Sequence, residues 1–386
     1  MRGIFIRFLT VTLLITQFQG ITFAEEAKIN LAQEASSAIL MERDTGTILF
    51  EKNSNEKLPP ASMTKIMTLL LIMEALDQEK ITLTEKVRTS ERAASMGGSQ
   101  IFLEVGEEMT VEEMLKGIAI ASGNDASVAM AEHLAGSEEN FIAMMNEKAK
   151  QLGLSNSNFI NSNGLPAENH YTTAYDMAVI SKELLKYEEV LAYTSLYEDY
   201  LRQNTDKKFW LVNTNKLVRF YPGVDGLKTG YTREAKYCLT ASAKKNDMRV
   251  IAVIMGAQTP KDRNRQVTEM LDYAFSQYAT HKLYERGQVI TQSKVSKGQQ
   301  SNVDVITNES VSLLTKKGEN IDDVVEKVNL DKSLKAPLKK GDQIGILILE
   351  KEEAVLQEVP LVASEDIGVA SWWQLFKRTA AKFSGR

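Results

Sequence analysis

The first residues whose types and spacing could do chemistry are Ser62 and Lys65, in Pro60-Ala61-Ser62-Met63-Thr64-Lys65. The prolines suit a helix entry. Residues three apart on a helix share a face, so the lysine amine can reach the serine hydroxyl. The positive end of that helix favours negative charge developing at Ser62. A lysine accepts a proton only when neutral, and its ordinary pKa of about 10.4 makes that form scarce near neutral pH. Burial and a second nearby cation would both lower the pKa, so the chemistry asks for another cationic side chain in the same site.

Two further motifs could complete it. Ser122-Gly123-Asn124, inside IAIASGNDASVAM, reads as a turn between two helical runs that Gly123 interrupts. A hydroxyl and an amide two residues apart could relay a proton and hold a substrate carbonyl or amide, although in isolation helix capping by Ser122 or Asn124 is the better explanation. Lys228-Thr229-Gly230, in VDGLKTGYT, falls in a strand pattern. Alternation puts Lys228 and Gly230 on one face, a cation for a carboxylate beside bare backbone along which an extended substrate can lie, and aims Thr229 the other way. Lys228 is also the second cation that Lys65 requires. The ordered set of helix, turn and strand motifs is far more specific than any one of them.

The elements that must position these residues are legible. SSAILMERDTGTILFEK, residues 36–52, reads as a hairpin turning at Asp44-Thr45-Gly46. Helical periodicity runs from Pro59 to about Leu76 and recurs near 110–121, 124–135, 138–152 and 173–186. Strands follow near 225–231, 236–243 and 248–256, with Asn246-Asp247 turning the last pair, then a closing helix from Lys261 to Ala279. Strands flanking a helical middle imply an α+β domain, residues 25–283. QSNVDVIT, VSLLTKK and DQIGILILE then imply a small all-β domain over 284–363, with no catalytic constellation of its own.

Both ends differ from the body. Residues 1–24 carry Arg2 and Arg7, an apolar run and a small-x-small end at Thr22-Phe23-Ala24, the pattern of a cleaved signal peptide. In residues 364–386, Val369, Trp372, Trp373, Phe376, Ala380 and Phe383 form one helical stripe beside Lys377, Arg378, Lys382 and Arg386. That segment is too short and charged to span a bilayer, and suits a helix lying in an anionic membrane surface. A helix packed on the β domain is the alternative.

The chain has 386 residues, 43% hydrophobic and 25% charged, which excludes a wholly disordered or low-complexity protein. Without residues 1–24 it keeps 44 basic against 51 acidic residues, so nothing points to nucleic acid as a partner. Cys238 is the only cysteine, which excludes an intrachain disulfide and a CxxC redox function and suits a buried apolar position. His133, His170 and His281 fit no catalytic triad and read as structural.

Through ASMTKIMT, ASGNDAS, NGL followed by YTTAYDMA, and DGLKTGYT, nearly the whole chain resembles the low-molecular-mass penicillin-binding proteins. These are serine-type D-Ala-D-Ala carboxypeptidases, here of the group with a C-terminal β domain and amphipathic anchor. The resemblance implies a penicillin-binding/β-lactamase-like transpeptidase domain. It also implies peptidoglycan stem peptides as substrate, β-lactams as covalent inhibitors, and neither metal nor organic cofactor. It makes Ser62 the acyl-ester nucleophile, Lys65 the proton acceptor, Ser122 the proton relay and Asn124 the residue orienting the acyl amide. Lys228 and Thr229 would recognise the terminal carboxylate, with Arg263 of TPKDRNR. Gly230 stays bare backbone, and the N–H groups of Ser62 and Tyr231 would form the oxyanion hole. A class A-like β-lactamase is the nearest competing enzyme, but Glu168, its tempting deacylation base, is followed by NHYT without the expected asparagine spacing. A β-lactam sensor would need transmembrane or signalling segments that the pattern does not offer.

Overall fold

The structure, a computed structural model, describes residues 30–331, 333–352 and 354–383. The expected signal segment lies outside these residues, as does Arg386. The described chain opens with β1 (Ser37–Glu42) and β2 (Ile48–Lys52), then returns to the same sheet much later with β3 (Val224–Thr232), β4 (Lys236–Lys245) and β5 (Met248–Ala257). The order is β2-β1-β5-β4-β3, antiparallel throughout, which leaves β3 at an edge.

Alternation divides the sheet's side chains between two cores. Ile39, Met41, Ile251, Val253 and Met255 face the helical body, whereas Ala38, Leu40, Val250, Ala252 and Ile254 face the closing helix. The helical body contains α1 (Lys65–Asp77), α2 (Val111–Ala119), α3 (Asn124–Ala135), α4 (Glu138–Gln151) and α5 (Ala174–Leu184). Helix α1 buries Ile66, Met67, Leu69, Leu70 and Ile72 completely, as a central helix apolar on every side must. The closing helix, α6 (Pro260–Gln277), starts with Thr259 accepting from the Asp262 N–H and with proline in its first turn. It covers the second face with Val267, Met270, Leu271 and Ala274.

The expected domain boundary meets continuous secondary structure. Strand β6 (Tyr278–Tyr284) follows α6 without a break, so the expected cut between 283 and 284 falls inside a strand. Its partner is β9 (Val311–Lys316), which lies beyond β7 (Val289–Ser296) and β8 (Asn302–Thr307). Such a long-range pairing leaves no local mark in the sequence. The remaining strands, β10 (Val324–Leu330), β11 (Leu334–Lys335), β12 (Gln343–Lys351) and β13 (Ala354–Ala363), join β7 and β8 in a sheet of order β10-β12-β13-β8-β7-β11. Val303, Val305, Leu347, Leu349 and Leu361 fill its core.

The terminal helix, α7 (Trp372–Phe383), leaves Trp372, Trp373 and Phe376 exposed and stacked on one another. The side chains of Ala380, Lys382 and Phe383 lie outside the described residues. Arg378, expected on a free basic face, instead donates to the Gly298 and Gln299 carbonyls of the β domain. The helix is therefore tethered at one cation while its aromatic stripe stays open. No helix among the described residues is long and apolar enough to cross a membrane.

Candidate active site

Residues 61–64 form a single 3-10 turn ahead of α1, and Ser62 sits in it. The turn opens with Ala61 in the left-handed region at φ 48, which is unfavourable for an alanine and must be held by its surroundings. Lys65 is the first residue of α1, and its amine lies 3.2 Å from Ser62 Oγ, so the i,i+3 spacing does what the sequence implies.

The remaining partners of Lys65 come from far along the chain. Its Nζ donates to Asn124 Oδ1 at 2.7 Å and to the Asn163 carbonyl at 2.6 Å. These two oxygens can only accept. In the neutral amine, with two hydrogens and one lone pair, these acceptors take both hydrogens and leave the lone pair to Ser62, which alone among these three partners can donate. Burial is the main force lowering the Lys65 pKa, and the Lys228 cation adds to it, against a smaller opposing pull from Asp125. The second cation that the chemistry requires is in place.

Lys228 reaches the site because β3 packs against the Ser62 turn. Its cross-strand partner Thr240 donates to Met63 Sδ at 3.3 Å. Two residues on, Gly230 presses so closely on the turn that an added Cβ would stand 2.7 Å from the Pro60 carbonyl. Gly230 thus serves the approach of strand and turn, beyond the bare face that alternation implies. Burial, then Arg263, lowers the Lys228 pKa to about 7. Arg263 projects from α6 with its guanidinium held by Asn264 Oδ1 at 3.0 and 2.9 Å. Burial lowers its pKa to about 10.

Thr229 donates to Thr214 Oγ1 at 2.8 Å, a partner the sequence does not suggest. Ser122 takes φ 64 in the turn that delivers Asn124 to the start of α3. Asn124 is more committed than expected: besides holding Lys65, its Nδ2 donates to the Gly97 carbonyl and its N–H to the Ser99 carbonyl, each at 2.7 Å. Asp125, also missed, accepts the N–H groups of Ile101 and Leu103 and ties that segment to α3. Tyr231 is exposed at the end of the motif, its ring stacked on Tyr237 at 4.4 Å.

The other residues singled out lie apart. Cys238 is fully buried, and burial pushes its thiol up to about 11. His133 pairs with Glu85, and His281 meets Thr315 Oγ1. Glu168 is exposed on the loop after Gly164 and lines a 590 Å³ cavity with Pro60, Ala61, His170 and Thr232. It bonds neither Ser62 nor Lys65. His170, by contrast, is buried directly behind the Ser62 turn.

Known proteins resemble this chain in sequence and in fold. The model of a D-alanyl-D-alanine carboxypeptidase family matches residues 22–259, and that of the penicillin-binding protein 5 C-terminal domain matches residues 278–369. The chain belongs to the D-alanyl-D-alanine carboxypeptidase family. As such it is a serine-type carboxypeptidase, a hydrolase of the penicillin-binding group. D-alanyl-D-alanine carboxypeptidase DacF of Bacillus subtilis is 61% identical over 374 residues, 96% of each chain. DacC of Escherichia coli is 34% identical, covering 91% of this chain and 88% of its own. Among solved structures, penicillin binding protein 5 from Haemophilus influenzae matches with a TM-score of 0.67 and 32% identity, over 88% of this chain and 98% of that one.

Proposed function

We propose that Ser62 is the nucleophile by which this carboxypeptidase removes the terminal D-alanine of peptidoglycan pentapeptide stems. The observation that carries the reading is the buried Lys65 amine, 3.2 Å from Ser62 Oγ and held by Asn124 Oδ1 and the Asn163 carbonyl, two acceptors that in the neutral amine engage both hydrogens and leave the lone pair to Ser62. Ser62 Oγ attacks the carbonyl of the penultimate D-alanine while Lys65 takes its proton. The N–H groups of Ser62 and Tyr231 meet the oxyanion, where aimed dipoles favour the transition state over the bound substrate. Ser122 returns a proton to the departing D-alanine amine. Lys228 and Arg263 hold the terminal carboxylate, joined by Thr229 when its hydroxyl hydrogen turns from Thr214 to the substrate, and the extended substrate lies along the open edge of β3. Asn124 sets the lysine through Oδ1, and the second hydrogen of Nδ2, the first being given to Gly97, orients the acyl amide. Water then releases the acyl group, whereas a β-lactam stalls there.

The same reading assigns residues 1–24 to export and the catalytic work to the outer side of the cytoplasmic membrane. The catalytic domain ends at Gln277 and an accessory β domain runs from Tyr278. The exposed aromatics of α7, with Trp372 at 74% exposure, support peripheral attachment to an anionic membrane surface. The direct test is D-alanine release from a peptide ending in D-Ala-D-Ala, comparing the intact enzyme with Ser62→Ala. Release that survives the substitution removes Ser62 from the mechanism.

A further inference from the structure

Behind the Ser62 turn runs a hydrogen-bond chain that the mechanism above does not use. The Ile160 N–H donates to His170 Nδ1 at 3.3 Å, which fixes that nitrogen as an acceptor and leaves the ring proton on Nε2. Nε2 lies 2.9 Å from Thr64 Oγ1 and donates to it. The Thr64 hydroxyl, accepting from Nε2 on one lone pair, donates its single hydrogen to the Ala61 carbonyl at 2.8 Å. That carbonyl belongs to the Ala61–Ser62 peptide. A peptide unit is planar and trans, so fixing its C=O fixes the opposed N–H, here that of Ser62. The need for such a fix is visible in Ala61, whose φ of 48 places it outside the conformations an alanine prefers.

The loop that carries His170 also braces the peptide from behind. A Cβ at Gly164 would stand 1.9 Å from the Ala61 carbonyl oxygen, so only a glycine lets the loop backbone lie against it. The neighbouring Asn163 carbonyl holds Lys65. Phe159 packs edge-on against the imidazole, with centroids 5.9 Å apart, and keeps the ring in one orientation. The loop thus addresses the nucleophile's base and the nucleophile's own backbone at once.

We propose that Thr64 and His170 are positioning residues that aim the Ser62 N–H at the oxyanion, acting through the Ala61–Ser62 peptide. The inference rests on Ser62 being the nucleophile. Neither side chain touches substrate. Their contribution is realised as negative charge develops on the carbonyl oxygen, so it belongs to the transition state and leaves ground-state binding alone.

The test uses the full chain carrying Thr64→Val, Thr64→Ser, His170→Leu, and Thr64→Val with His170→Leu combined. Acylation by benzylpenicillin, affinity for a peptide boronic acid that forms a tetrahedral adduct, and KM for a D-Ala-D-Ala peptide are measured on each. Thr64→Val is expected to slow acylation and weaken the boronic acid by about 10- to 100-fold, short of the loss of a whole oxyanion donor, with KM within about 3-fold. Thr64→Ser keeps the hydroxyl and should stay within about 3-fold of the unaltered enzyme on every readout. The double variant should be no slower than Thr64→Val, because a chain broken once cannot be broken again. Wild-type acylation in Thr64→Val overturns the proposal. So do multiplying effects in the double variant, or a loss carried entirely by KM. If Thr64→Val fails to fold, His170→Leu decides alone: unaltered acylation overturns the proposal, and a loss shared by the boronic acid supports it. Ser62→Ala run alongside separates the two claims, since acylation persisting there sinks the nucleophile reading itself.

Discussion

His170 gives the structure a measurable acid sensitivity. The ring is buried, and burial lowers its pKa from the ordinary 6.5 to about 4. It also accepts a backbone N–H at Nδ1, a role the protonated ring cannot fill. The folded protein therefore keeps the neutral imidazole down to about pH 4, while the unfolded chain takes up a proton below about pH 6.5. Between these values the unfolded state binds one more proton, so this residue's contribution is complete above the upper value and is lost as the pH falls to the lower. At about 1.4 kcal/mol per pKa unit the whole effect is about 3 kcal/mol, most of it spent by about pH 4.5. Urea unfolding of the intact protein and of His170→Gln, at steps from about pH 7 to about pH 4.5, isolates it, because every other titrating group is common to both. The stability difference between the two proteins should shift by about 2.5 kcal/mol over that range, in the sense that the histidine protein weakens faster in acid. A difference that stays constant with pH would refute the reasoning.

Four other outcomes are expected. Gly230→Ala forces a methyl into the Pro60 carbonyl and should cost about 1–3 kcal/mol of stability along with most of the acylation rate; an active enzyme with an unchanged melting temperature would contradict the packing argument. Lys228→Gln removes the cation that, after burial, lowers the Lys65 pKa, so the acid limb of the acylation pH profile should move to higher pH; an unmoved limb counts against the coupling. Asp125→Asn loses the carboxylate that gathers the Ile101 and Leu103 N–H groups and should lower stability by about 1–3 kcal/mol in thermal unfolding. Truncation after Glu365 should abolish co-sedimentation with anionic liposomes, and equal sedimentation of both lengths would end the membrane reading.

Local patterns made much of this protein readable. The i,i+3 geometry of a helix fixed the Ser62–Lys65 encounter, and strand alternation placed Lys228 and Gly230 toward the Ser62 turn, because both periods follow from backbone geometry alone. Hydrophobic periodicity located the principal helices and the main sheet for the same reason. Tertiary structure decided what those side chains meet. Asn124 and Asn163 reach Lys65 across 59 and 98 residues of sequence, and Thr64 finds His170 across 106. The pairing of β6 with β9 and the Arg378 tether are likewise contacts between distant segments. A sequence states which groups a chain carries and how often they recur. Which acceptors take the hydrogens of a buried amine depends on loops brought together only when the two cores close, and no local period encodes that.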